Sequence, residues 1–257
     1  MQIVYTIILG LVQGLSEFLP ISSSGHLMLL EKLGVGKPDI FFNVMLHVGT
    51  LFAVLIALKD EWLALMKKPF QKKTGFLIVA CVPTVLCAVV FKYAFPGLLS
   101  GEFLGFGFVL TAVLLFVGEN FKIAQNRCLS FKNTLLSGVL QGIAVLPGVS
   151  RSGATISSLC FLGVEKREAS TFSFLLSIPA ILGSVAVEIF DLAKGEFSPQ
   201  MPWYCIVIGV LVAFVSGLWA IKFFLKLVSK HSMVLFVVYT ALLGLAVSIL
   251  PFVGVKI

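Results

Sequence analysis

Gln13-Gly14-Leu15-Ser16-Glu17-Phe18-Leu19-Pro20-Ile21-Ser22-Ser23-Ser24-Gly25-His26 decides the fold, because the chain writes this stretch twice. From residue 141 it reads Gln141-Gly142-Ile143-Ala144-Val145-Leu146-Pro147-Gly148-Val149-Ser150-Arg151-Ser152-Gly153. A shift of 128 positions, half of the 257 residues, lays Gln13 on Gln141, Gly14 on Gly142, Ser22 on Ser150, Ser24 on Ser152 and Gly25 on Gly153. Each copy follows an apolar arm (residues 3–16 and 134–146), breaks at Pro, Gly and Ser, and continues into a second short arm (27–30 and 154–164). Such a pattern describes a re-entrant helix–loop–helix. Non-helical backbone is tolerated at membrane depth only where protein or a water-filled cavity covers it.

Composition points the same way. Hydrophobic residues make up 59% of the chain and charged ones 12%, with a mean hydropathy of +1.08. Soluble globular domains are about 25% charged, so that class is excluded. The net charge of +7 lies in short basic clusters between long uncharged runs, the signature of a multi-pass membrane protein and not of a nucleic-acid partner. Five scattered cysteines without CxxC spacing read as small apolar packers. The first residues carry no basic segment or small-residue cleavage site, so no removable signal peptide is expected.

A helix needs about 20 apolar residues to cross the hydrocarbon core. Six stretches fit, near 40–58, 76–91, 103–118, 169–187, 203–221 and 233–255. The expected fold is therefore all-α and polytopic: one membrane domain with six transmembrane helices and two re-entrant hairpins, near 1–35 and 134–164. Three spans separate the two motifs. An odd number makes the second copy enter from the opposite leaflet, so segments 1–128 and 129–257 form an inverted-topology repeat whose broken segments meet near the midplane. Thirteen basic residues, among them Lys59, Lys67, Lys122, Arg127, Lys166, Arg167 and Lys222, fall on one side. Lys32, Lys37, Lys92, Lys194 and Lys256 fall on the other. The positive-inside rule makes the first side cytoplasmic, with both termini and the mouth of the first loop outside.

Ionisable groups at mid-depth cost about 2.5–3.5 kcal/mol each on insertion scales, so their presence there is a functional hypothesis. The first loop carries Glu17, Ser22, Ser23, Ser24 and His26; the second carries Ser150, Arg151, Ser152 and Thr155. Ser-x-Ser-Gly at an expected helix start offers free N–H groups to an anion. Arg151 can fork onto phosphate oxygens. A hydroxyl beside an imidazole is a minimal activated nucleophile, and Glu17 could orient the imidazole or bind a divalent cation. Other roles are open to the same residues. Ser22 to Ser24 could only cap a helix, Arg151 could be a structural partner of Glu17, and His26 an interior histidine. His47, in Leu46-His47-Val48, reads as packed or hydrogen-bonded and not as a ligand.

At residues 13–26 and 146–155 the chain resembles the undecaprenyl-diphosphate phosphatase family, the bacitracin-resistance membrane phosphatases of bacteria. Length, span count and the half-chain repeat agree over the whole chain. The resemblance implies a hydrolase of the bacterial inner membrane that removes the terminal phosphate of undecaprenyl diphosphate, regenerating the monophosphate carrier for peptidoglycan. Carried onto this sequence, Ser23 is the nucleophile with His26 beside it, although the family leaves the choice between serine and histidine open. Glu17 supports them and Arg151 holds the diphosphate. Gln13, Ser22, Ser24, Gly25, Ser150, Ser152, Gly153 and Thr155 would line the substrate. A divalent cation, Mg or Ca, is also implied, with Glu17 as its contact. The family motif E/Q-x-x-x-E begins here with Gln13, which removes one of two carboxylates. Inverted repeats with broken helices also build transporters and flippases, so a carrier of an anionic phosphate-bearing substrate is the competing expectation. A membrane assembly factor without chemistry would leave the mid-depth charges unexplained.

Overall fold

Two apolar runs, broken at Pro20 to Ser22 and at Pro147 to Ser150, fold into helices that stop and restart there. The computed structural model describes residues 1–36, 39–123, 127–194 and 201–250. Its α-helices are α1 (Gln2–Phe18), α2 (Ser23–Lys32), α3 (Ile40–Ala57), α4 (Lys59–Lys67), α5 (Lys72–Ala94), α6 (Leu104–Asn120), α7 (Phe131–Ile143), α8 (Arg151–Phe161), α9 (Lys166–Ala193), α10 (Trp203–Val228) and α11 (Val234–Ile249). The protein is all-helical over these residues, apart from one isolated bridge, Arg127 to Val164.

Among the described residues four helices are long and apolar enough to cross a membrane: α3, α5, α9 (over 166–187) and α10. The other two expected spans fall on α6 and α11, apolar helices of 17 and 16 residues. The end of the sixth expected span, at 251–255, lies outside the described residues, as do Lys37 and Lys256. One helix was not expected. The basic segment after α3 folds as α4, with Asp60 and Glu61 in its first turn and Lys67 in its last, the charge order a helix dipole favours. Trp62 ties it back, its Nε1 donating to Leu55 O at 2.7 Å.

Both broken segments are helix–turn–helix units. Leu19, before Pro20, is extended, as a residue preceding proline tends to be. The second arms begin earlier than the apolar pattern suggested, at Ser23 and Arg151, because serine caps start them: Ser22 Oγ accepts from Gly25 N at 3.3 Å and Ser150 Oγ from Gly153 N at 3.0 Å.

Glycines let the first arms lie against helices of the opposite half. On α1, a Cβ at Gly10 would meet Gly209 O at 2.9 Å, and one at Gly14 would meet Ala213 O at 2.5 Å, so only glycine allows the approach to α10. On α7, a Cβ at Gly138 would meet Ala80 Cα at 2.7 Å and one at Gly142 would meet Cys87 Cβ at 2.6 Å, against α5. Small residues are what close helix packing in lipid requires.

Two groups of polar contacts tie the loops together, one at each end of the helices. At one, Ile123 N donates to Phe161 O at 2.9 Å, Arg127 N to Gly163 O at 3.0 Å, and Lys166 Nζ meets Glu119 at 2.8 Å. At the other, Lys32 Nζ donates to Gly101 O at 3.3 Å, Asn43 Nδ2 to Glu31 at 2.8 Å, and Met201 N to Asp39 at 3.0 Å. The α7–α8 unit opens toward the first end and α2 finishes at the second. Between them lies a core in which Phe18 packs edge-on against Phe174 at 5.3 Å, with Phe172, Phe224 and Ile156 fully buried. Phe18 therefore anchors the end of α1, and with it the neighbouring Glu17.

Candidate active site

Glu17 is the last-turn carboxylate of α1, 5% exposed, and the two loops converge on it. From its own helix Gln13 Nε2 donates to Glu17 Oε2 at 3.0 Å, one turn away. From the start of α2, Ser23 Oγ donates to the same oxygen at 2.6 Å. From the start of α8, Arg151 Nη2 pairs with Glu17 Oε1. The caps explain the aim. Ser22 and Ser150 close their helices, and the next residue in each loop, Ser23 or Arg151, is left to reach across. These two residues are 128 positions apart, so matched places in the two copies meet on one carboxylate.

His47 of α3 brings a fourth group: its Nε2 stands 3.6 Å from Glu17 Oε2 while Nδ1 bonds Asn43 O at 2.8 Å. The sequence reads it as packed or hydrogen-bonded, which it is, but does not show its nearness to Glu17, although a mid-span imidazole is by itself a signal of function. His26 is placed differently from expectation. Its Nδ1 bonds Ser22 O at 2.7 Å and its Nε2 bonds Tyr239 Oη of α11 at 2.7 Å. Ser23 thus pairs with the carboxylate and not with the imidazole, and the histidine beside Glu17 is His47.

The remaining expected residues divide between rim and frame. Ser24 is exposed beside Ser23. Ser152 is buried, its Oγ 3.3 Å from Ser150 Oγ and 3.4 Å from Leu19 O, which ties the second loop to the first. Gly25 lets α2 meet the other loop: a Cβ there would be 2.7 Å from Phe108 and 2.8 Å from Gly148 Cα. The N–H groups of Gly25 and Gly153 are engaged by the caps. Thr155 is fully buried, bonding Arg151 O at 3.0 Å and Ser173 Oγ, and so holds α8 against α9. Thr111 of α6 was not foreseen: it donates to Gly148 O at 2.9 Å and accepts from Ser150 N at 2.9 Å, fixing the turn before Arg151.

Chemically, the arrangement is a buried carboxylate that neutralises one guanidinium and accepts from one serine hydroxyl. The Arg151 side chain is 23% exposed against 3% for Glu17, so the cation spans from the buried acid to an open rim. A guanidinium has five N–H donors, and those beyond the Glu17 contact can turn to an anion.

Residues 6–246 match the family described as bacitracin resistance protein BacA. The undecaprenyl-diphosphatase of Carboxydothermus hydrogenoformans is 39% identical over 256 residues, covering 96% of this chain and 97% of that one. That of Halothermothrix orenii is 37% identical, with 97% and 98% covered. That of Christiangramia forsetii is 35% identical over 266 residues, with 98% and 99% covered. A helical chain with several membrane-length apolar helices, paired loop motifs and a match over nearly its whole length belongs to the BacA family.

Proposed function

We propose that this protein is a membrane hydrolase that removes the terminal phosphate of undecaprenyl diphosphate, a reading supported by relatives that bear the name undecaprenyl-diphosphatase. The observation that carries the site assignment is the meeting of Ser23 and Arg151, from separate loops, on Glu17. Arg151 turns from Glu17 to the diphosphate oxygens, which frees the carboxylate to act as base. Ser23 Oγ attacks the terminal phosphorus and its proton passes over the existing 2.6 Å hydrogen bond to Glu17 Oε2. The bond from that phosphorus to the bridging oxygen breaks, and its electron pair leaves with the lipid monophosphate. Arg151 neutralises the charge that builds on the oxygens. Water then attacks the phosphoseryl group, releasing inorganic phosphate and restoring Ser23.

A divalent cation fits this donor set only as a shared ligand. Gln13 Oε1 is buried without a hydrogen-bond partner, and Gln13 with Glu17 offers hard oxygens of the kind Mg and Ca take. Among the described residues no group of three His, Cys, Asp or Glu could hold a metal, so substrate phosphates would supply the other oxygens. When bound, the cation would neutralise phosphate charge beside Arg151.

The proposed layout is six spanning helices and two re-entrant hairpins in two inverted halves. Its support is the exchange of partners: α1 lies on α10 and α7 on α5 through glycines 128 positions apart, Gly10 with Gly138 and Gly14 with Gly142. The basic loops at one end support a cytoplasmic position for that end in a bacterial inner membrane, with the α1–α2 loop opening outward. Purified protein in detergent should release phosphate from undecaprenyl diphosphate, and Ser23→Ala should abolish release. Unchanged release by Ser23→Ala would overturn the site, and no release by the unaltered protein would overturn the activity.

A further inference from the structure

We propose that Tyr239 is a positioning residue that holds the His26 imidazole, as its Nδ1–H tautomer, in one orientation. The kinetic part of this inference rests on the phosphatase reading above; the spectroscopic part does not. A backbone carbonyl can only accept, so the 2.7 Å contact of His26 Nδ1 with Ser22 O places the ring proton on Nδ1. Nε2 of the neutral ring is then an acceptor, and the Tyr239 hydroxyl at 2.7 Å is its donor. The two rings lie within 7° of parallel, and Phe108 meets the imidazole edge-on at 5.2 Å. Three contacts from three elements thus bound the ring: its own loop at Nδ1, Phe108 of α6 at right angles to it and α11 at Nε2.

The placement in the fold makes this more than a surface contact. Tyr239 and Thr111 are 128 positions apart, on the last helix of each half. Thr111 crosses to the second loop and bonds Gly148 O and Ser150 N. Tyr239 crosses to the first loop and bonds His26. Each half therefore clamps the loop of the other, but the second clamp holds a side chain one turn beyond Ser23, where the first holds backbone. Ser22, whose carbonyl completes the arrangement, has φ 71°, a strained conformation for a serine of the kind that persists at functional sites.

Tyr239→Phe keeps the ring and deletes the donor. It should lower kcat by up to about 100-fold, the cost of a misplacement of about 1 Å at a reacting group, with KM unchanged, because His26 holds the Ser22 carbonyl and with it the turn that aims Ser23 at Glu17. In a His26→Ala background it should cost nothing further. Independently of turnover, imidazole 15N spectra, assigned with His47→Gln and His231→Gln variants, should show His26 as the Nδ1–H tautomer in the unaltered protein. Tyr239→Phe should shift the His26 Nε2 resonance. Identical His26 spectra with and without the tyrosine hydroxyl would overturn the inference, as would an equal kcat loss in the His26→Ala background. If Tyr239→Phe lowers only the melting temperature, with spectra and kcat unchanged, the contact is structural and the inference fails. Absence of phosphate release from every form would defeat the phosphatase reading while leaving the tautomer assignment standing.

Discussion

Glu17 accepts from Gln13 and Ser23 and pairs with Arg151, with His47 at 3.6 Å. Removing one partner of a buried ion pair strands the other and typically costs about 3–5 kcal/mol, so loss of Arg151 would confuse stability with catalysis. Glu17→Gln is the milder change, since it strands the partly exposed Arg151 and not the buried carboxylate, and the amide keeps an acceptor for Ser23 while losing the base. It should lower kcat by about 10²–10⁴, the range of a lost general base. KM should not rise, because Arg151 no longer has a carboxylate competing with substrate. A raised KM with kcat intact, measured by phosphate release, would make Glu17 a substrate-binding group instead. The sequence marked Glu17, Ser23 and Arg151 because charge and hydroxyl stood in the breaks between apolar arms. It could not assign partners: whether Ser23 reaches Glu17 or His26 depends on the turn made by Ser22, which no spacing rule supplies.

At the scale of elements, the caps and glycines set the geometry. Ser22 combines an N-cap oxygen with φ 71°, two effects of opposite sign. Ser22→Ala loses the cap and keeps the strain, for a loss of about 1 kcal/mol. Ser22→Gly also loses the cap but accepts the left-handed backbone, so it should be the less destabilised of the two by thermal unfolding in detergent. The opposite order would show that the cap bond and the φ strain were misjudged. Gly14→Ala places a Cβ 2.5 Å from Ala213 O and 2.7 Å from Gly217 N, and should cost about 1–3 kcal/mol as overpacking does. The arms and breaks were legible because Pro20, Pro147 and the serines punctuate apolar runs. The helix at Lys59–Lys67 was not, because a short charged segment carries no hydrophobic period long enough to announce it. Tyr239 was equally silent: one tyrosine in an apolar helix gives no sign of which loop it will touch.

For the whole molecule, the two loops serve one site because two halves interlock, each first arm lying on a long helix of the other. The proposed side and orientation rest on charge. Cys128 is exposed at the basic end, and Ser24 is exposed at the first loop. In a chain with the remaining cysteines replaced by alanine, a membrane-impermeant maleimide should reach Cys128 only from the cytoplasmic side. Ser24→Cys should react only from outside, and labelling of both from one side would refute the proposed topology. The repeat itself was visible as identities 128 residues apart, whereas the exchange of partners was not, since sequence does not say which helix an arm lies on. Rapid quenching with undecaprenyl diphosphate labelled in its terminal phosphate tests the account most directly. It predicts acid-stable phosphoserine at Ser23, absent from Ser23→Ala; an acid-labile phosphohistidine at His26, or full turnover with no label on Ser23, would contradict it.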